Sequence, residues 1–231
     1  MAEHFVIAID GPAASGKSST AQWVARRLFY HHVDSGALYR AATAAQLFLS
    51  ASPDAWTEDD VLAETSRITF VPAEGTFVPL IDAEPSDELL RGAEVTRHVS
   101  RVAQMPRVRA WVNSMVRDAA KARDVVVDGR DIGTVVFPDA TLKIFLVADP
   151  WERARRRLIQ RLGRHPSDAE IADETEAIVK RDAKDATQTV QATDAVLIDT
   201  TSLTQEDQVE RIVALAKAVT HRRAETSPVD E

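Results

Sequence analysis

The sequence predicts an α/β fold in which a mostly parallel sheet is covered by helices on both faces. Three observations predict it. Short apolar runs of strand length recur at Phe5–Asp10, Tyr30–Val33, Val125–Asp128, Leu142–Ala148 and Ala195–Ile198, with helix-periodic stretches between them. The first run stops at a glycine and opens Gly11-Pro12-Ala13-Ala14-Ser15-Gly16-Lys17-Ser18, the spacing Gly-x-x-x-x-Gly-Lys-Ser. Polar clusters at Gly11–Ser18, Asp34–Gly36 and Gly129–Asp131 each follow the carboxyl end of a strand, the rim where such sheets bind ligands.

The elements follow in order. After the loop, Ala21, Val24, Ala25 and Leu28 share one helix face. Tyr30–Val33 is a short strand, and Asp34-Ser35-Gly36 starts a helix whose buried face carries Leu38, Ala41, Ala42 and Ala45. Ser50–Trp56 reads as a loop, and Thr57-Glu58-Asp59-Asp60 as a capping box with Asp in place of Glu. Arg67–Val71 and Thr76–Asp82 flank Ala73-Glu74-Gly75 as a hairpin, with Pro79 marking the second strand as an edge. Ser86-Asp87-Glu88 starts a further helical piece. Pro106 opens a helix with Val108, Trp111, Val112, Met115, Val116 and Ala119 on its apolar stripe. Trp111 and Phe145 are expected in the core. Asp149-Pro150 starts a helix stopped by Gly163, with an Arg156–Glu152 pair on its surface. Ser167-Asp168-Ala169-Glu170 caps another, and Thr204 onward forms the last, with Val209, Ile212, Val213 and Ala216 inward. From about His221 the chain is polar and is expected to fray.

Composition excludes several classes. The 231 residues are 45% apolar, enough for one α/β domain with an insertion or two small ones. There is no cysteine, so disulfides and thiolate metal sites are excluded. No apolar run reaches the ~20 residues of a membrane span, and no basic-then-apolar leader is evident. These features fit a cytoplasmic protein. The net charge of −8 argues against a nucleic-acid surface.

The chemistry lies on the rim. Loop N–H groups and a helix N-terminus converge on phosphate, Lys17 adds a point charge, and the Ser18 hydroxyl is a ligand for Mg²⁺. Arg40, Arg109, Arg130, Arg157 and Arg181 stand near element boundaries, and guanidinium groups clamp phosphate bidentately. Arg155 and Arg161 read instead as surface arginines. Asp128, ending a Val-rich strand, either orients Mg²⁺ through water or caps its loop. His31 and His32 lack metal-ligand spacing and read as structural. The acceptor oxygen of a nucleoside monophosphate is already charged, so its phosphorylation needs no general base.

Longer blocks carry a resemblance. Ile9–Pro12 with Gly16–Ser18, Asp34-Ser35-Gly36-Ala37-Leu38-Tyr39-Arg40, Pro106–Arg109, Asp128–Ala140, Lys143–Leu146, Glu152–Arg157 and Arg181-Asp182-x-x-Asp185 run in order through nearly the whole chain. In these the sequence resembles the bacterial cytidylate kinases, a branch of the nucleoside monophosphate kinases. The resemblance implies a single P-loop kinase domain over 1–231 with a parallel sheet flanked by helices. It also implies an inserted monophosphate-binding subdomain at about 60–105 and a lid at about 151–188. Gly11, Pro12, Ala13, Ala14, Ser15, Gly16, Lys17, Ser18 and Ser19 would bind ATP, joined by Arg153 and Arg157 from the lid. Ser35, Arg40, Arg130, Arg181 and Asp185 would hold the ribose and phosphate of CMP, Ser100, Arg109 and Asp131 would read the cytosine, and Tyr39 would belong to the same CMP site. Lys17, Arg130, Arg157 and Arg181 would be catalytic. Mg²⁺ would accompany ATP, CMP and dCMP would be acceptors, and a monomer is expected.

Three positions depart from the family pattern. Ala14 stands where many members have glycine, Gln188 where members often carry a phosphate-reaching arginine, and Ala83-Glu84-Pro85 where Gly-Glu-Asp is usual. The alternatives are a kinase for another small acceptor, such as a sugar acid, and a nucleotide-binding switch without an acceptor. Against the switch, no Asn-Lys-x-Asp guanine motif is present.

Overall fold

The computed structural model describes residues 4–49 and 52–226, with side chains through His221. The first half forms β1 (Val6–Asp10), α1 (Lys17–Leu28), β2 (His31–Asp34), α2 (Ser35–Leu49) and α3 (Glu58–Ala63). Then come β3 (Ile68–Ala73), β4 (Thr76–Ile81), β5 (Glu84–Pro85), α4 (Asp87–Leu90), α5 (Ala93–Val102) and α6 (Pro106–Ala120). The second half forms β6 (Val125–Asp128), β7 (Leu142–Val147), α7 (Pro150–Leu162), α8 (Asp168–Asp185), β8 (Val196–Asp199) and α9 (Gln205–Thr226).

One sheet runs β3-β4-β2-β6-β1-β7-β8, with β5 paired to β4. The β2-β6-β1-β7-β8 portion is parallel throughout. Its inner strand β6 is an unbroken valine run because both faces are covered: Val125, Val126 and Val127 are all fully buried. On one face, the small residues Ala41, Ala42, Ala44 and Ala45 let α2 pack closely against the sheet, where it shares a core with Val108, Val112 and Val116 of α6. On the other face, Ala21, Val24 and Ala25 of α1 meet Val209, Ile212, Val213 and Ala216 of α9. The central strand β1 lies between β6 and β7, so its outgoing loop opens where the winding of the sheet reverses.

Helix starts follow their local chemistry. Thr57 and Asp60 form the reciprocal capping box, as do Ser167 and Glu170. The Asp149 side chain accepts from the N–H groups of Trp151 and Glu152, and Gly163 ends α7 at φ 66°.

Four expectations are corrected. First, β4 is not an edge. It lies between β3 and β2, bridged to β2 at His32–Thr76, and β3 is the edge strand. Pro79 is tolerated because that side of β4 pairs only at Thr76 with β2 and at Leu80 and Ile81 with β5. Second, Glu152 pairs with Arg155 at 2.8 Å, three residues on, while Arg156 donates to the carbonyl oxygens of Thr200 and Thr201 at 2.6 and 2.9 Å. Third, α9 continues to Thr226, into the stretch expected to fray, and residues 227–231 lie outside the described residues. Fourth, Trp111 is only half-buried at the margin of its core, whereas Phe145 is buried as expected. Ser50 and Ala51 of the expected loop also lie outside the described residues, and a short 3-10 turn at Pro53–Ala55 follows them.

Candidate active site

Gly11 leaves β1 at φ 146°, pressed against β7 so closely that a Cβ would collide with the Leu146 carbonyl oxygen. Gly16, at φ 87°, caps α1. Between them Ala14 takes φ 57°, a left-handed conformation a glycine would adopt without strain, so alanine stands there at a backbone cost. The loop is held from behind. Ala13 N–H donates to Asp182 Oδ1 at 3.0 Å, and Arg153 donates to the Ala13 carbonyl at 2.8 Å and to Asp182 Oδ2 at 2.6 Å. Arg153 Nε also donates to the Ala148 carbonyl at 3.1 Å. Arg153, on α7 within the segment expected to form the lid, is buried under the loop, its Nε and Nη1 held by backbone and Asp182.

Lys17 Nζ reaches back across the loop to the Pro12 carbonyl at 2.5 Å and the Ser15 hydroxyl at 3.3 Å. Burial pushes its pKa well down, and the neighbouring Arg130 pushes it further. Ser18 Oγ donates to Asp128 Oδ2 at 2.6 Å, and Asp128 is almost fully buried. A hydroxyl and a carboxylate so placed are hard oxygen donors of the kind that suits a magnesium ion bound mainly through nucleotide phosphates. Among the described residues no group of three or more His, Cys, Asp or Glu side chains gathers as a metal cage. Ser19 Oγ donates to the Gly16 carbonyl at 2.9 Å and to Gln205 of α9 at 3.2 Å.

Across the rim, cations from separate segments converge. Burial is the chief cause lowering Arg181, to about 10, with Arg130, Arg40 and Arg157 adding repulsion. Arg40 is likewise lowered by burial first, and Arg157 and Arg130 are among the charges that lower it further. Asp185 offers partial compensation, 3.6 Å from Arg130 and 3.7 Å from Arg181. The buried Nε atoms of both arginines have no hydrogen-bond partner among the described residues. Arg40 Nη1 donates to the Leu90 carbonyl and the Thr96 hydroxyl, both at 3.2 Å, tying α2 to α4 and α5. Ser35 Oγ donates to the Asp128 carbonyl at 2.8 Å, which turns that serine toward the strand end. Arg157 Nε lies 3.3 Å from Glu174, a carboxylate shared with Arg161 at 3.0 Å.

Arg109 forms a hydrogen-bonded ion pair with Asp131 and lies 5.9 Å from the centre of the Tyr39 ring. Burial raises the Asp131 pKa, while Arg109 and Arg130 oppose the rise. Ser100 lies half-buried on α5, and among the described residues no hydrogen bond joins it to this pair. Gln188 follows α8 in a half-buried turn, its N–H bonded to the Asp185 carbonyl at 3.0 Å.

Two positioning groups were invisible in the residue pattern. Asp10 accepts the N–H groups of Ile132 and Gly133, each at 2.8 Å, and so fixes the turn that carries Arg130 and Asp131. His32 Nε2 meets Asp128 Oδ1 at 2.8 Å. The only local signal for Asp10 was an acidic residue ending a buried strand.

The family model described as Cytidylate kinase matches residues 7–218. A cytidylate kinase from Limosilactobacillus fermentum is 41% identical over 219 residues, covering 92% of this chain and 95% of that protein. One from Chloroherpeton thalassium is 40% identical over 226 residues, covering 95% and 96%, and one from Alkaliphilus oremlandii is 41% identical over 223 residues, covering 94% and 100%. With a family match over nearly its whole length and relatives at this identity, the chain belongs to the cytidylate kinase family.

Proposed function

We propose that this chain transfers the γ-phosphate of MgATP to CMP, and to dCMP, yielding ADP and the nucleoside diphosphate. The observation that carries the reading is the meeting of Lys17, Arg40, Arg130, Arg157 and Arg181 beside the phosphate-binding loop. Five cations that repel one another in part, Lys17 buried and the four arginines half-buried, cost stability, and they suit a site that brings two phosphorylated molecules end to end. ATP lies with its phosphates along Gly11–Ser19, and Lys17 meets its terminal phosphates. Mg²⁺, held with ATP near Ser18 and Asp128, neutralises phosphate charge when bound.

Arg40, Arg130 and Arg181 fork onto the phosphate of CMP, with Asp185 holding the two latter guanidinium groups in register. Ser35 serves the ribose and phosphate side. Arg109, Asp131 and Tyr39 read the base, with Ser100 moving in when the inserted segment at about 60–105 closes. Transfer is direct and in line, and the charged acceptor oxygen attacks without a base. Arg157 leaves Glu174 to meet the transferring phosphoryl group as the lid at about 151–188 closes and excludes water. The protein acts as a cytoplasmic monomer. Among the described residues no helix is long and apolar enough to cross a membrane.

The test is a coupled assay with ATP and a panel of monophosphates. CMP and dCMP should be the preferred acceptors. Equal turnover with UMP and AMP would remove the substrate assignment, and no response to any nucleotide would favour another small acceptor.

A further inference from the structure

A line of polar side chains, buried at His32 and Asp128, crosses the sheet behind the phosphate-binding loop. Thr76 Oγ1 of β4 lies 3.2 Å from His32 Nδ1 on β2, His32 Nε2 lies 2.8 Å from Asp128 Oδ1 on β6, and Asp128 Oδ2 accepts from Ser18 Oγ at 2.6 Å. His32 is 6% exposed and Asp128 2%. A carboxylate turns easily about its last side-chain bond, so an oxygen fixed on one side sets the direction of the other. Asp34 stands opposite Asp128 in the β2–β6 register, and its like charge would push a free carboxylate out of place.

We propose that His32 is a positioning residue, which holds Asp128 Oδ1 so that Oδ2 is aimed at Ser18 and at the cation bound with ATP. Thr76 sets the imidazole ring in turn. The inference rests on the reading of Ser18 and Asp128 as the cation side of the ATP site. Neighbours of ligating carboxylates act in this way, orienting the groups that touch the ion.

The test is calorimetric binding of the β,γ-imido analogue of ATP, with and without Mg²⁺, so that catalysis plays no part. In the unsubstituted protein Mg²⁺ strengthens binding. His32→Leu should cut that gain by about tenfold, near the lower end of such losses, and leave metal-free binding unchanged. His32→Gln, with an amide long enough to donate to Asp128, should recover most of the gain. His32→Asn, polar but too short, should not. CMP binding should be unaltered in all three, and thermal unfolding of each reports folding.

A full Mg²⁺ gain in His32→Leu overturns the inference. If His32→Leu does not fold, equal gains in His32→Gln and His32→Asn overturn it. Asp128→Asn separates this inference from the reading beneath it. Loss of the gain in Asp128→Asn with retention in His32→Leu removes only the role of His32. Retention in Asp128→Asn removes the cation assignment itself.

Discussion

Replacing Arg130 by methionine should stabilise the nucleotide-free protein while disabling it. Among the described residues the charge partner of Arg130 is Asp185 at 3.6 Å, its Nε is unbonded, and its charge bears on Lys17, Arg40 and Arg181. The full depression of Arg181 to about 10 corresponds to roughly 3 kcal/mol, with burial the larger cause and Arg130 the next. Arg130 is therefore the largest of the charges that repel Arg181, and it adds to the burial cost at Lys17. Methionine keeps the apolar stem, and Asp185 keeps Arg181.

The nucleotide-free variant should gain about 1 kcal/mol, or roughly 2–4 °C in Tm for a chain of this size. Its kcat should fall about 10²–10³-fold, the usual loss on removing one donor aimed at a transition state. CMP should no longer raise Tm as it does in the unsubstituted protein. Differential scanning fluorimetry with and without CMP, beside the coupled assay, reads all three. A variant destabilised by about 1 kcal/mol or more, or one retaining kcat within about threefold, would refute the reasoning.

Other outcomes follow from single contacts. Asp182→Asn should raise KM for ATP about tenfold with KM for CMP little changed, because Asp182 ties both Ala13 and Arg153 behind the loop and a hydrogen bond to a charged group contributes about 1.5–3 kcal/mol; initial-rate kinetics with each substrate varied decide it. Ala83→Gly should raise the unfolding free energy by about 1 kcal/mol, and so the denaturation midpoint, without changing the m-value, since Asp82 and Ala83 both sit at positive φ, 53° and 67°, in the β4–β5 turn. Burial pushes the Asp10 carboxyl up to about 6 from the ordinary 3.8, despite its two N–H donors. The folded state therefore keeps that proton to higher pH than the unfolded chain, and the associated stability is full below about pH 4 and lost as pH rises through about 6. The advantage of Asp10→Asn over the unsubstituted protein should accordingly grow by up to about 3 kcal/mol between pH 4 and 7.5; denaturant titrations giving a pH-independent difference would contradict this.

Much of the fold was legible because its signals are local. The loop spacing, the Val-rich strand ending at Asp128, and the caps at Thr57, Asp149 and Ser167 are each written within a few residues. What escaped depends on partners far apart in the chain. Pro79 suggests an edge by itself, yet β4 sits inside the sheet because its pairing on that side is interrupted. Arg153 looks like any other member of an arginine-rich helix until Ala13 and Asp182 come to meet it. His32 has no metal spacing to mark it, and its partner Asp128 lies 96 residues later. The cation cluster was visible as residue types near strand ends, but its mutual repulsion appears only once α8 folds back over the rim.

The central claim is that scattered guanidinium groups gather between two phosphorylated substrates above one edge of the sheet. A crystal structure with CMP and the β,γ-imido analogue of ATP tests it most directly. Arg40, Arg130 and Arg181 should lie within hydrogen-bonding distance of the CMP phosphate, and Lys17 on the terminal phosphates of the analogue. Guanidinium groups turned to solvent, with CMP bound elsewhere, would contradict the account.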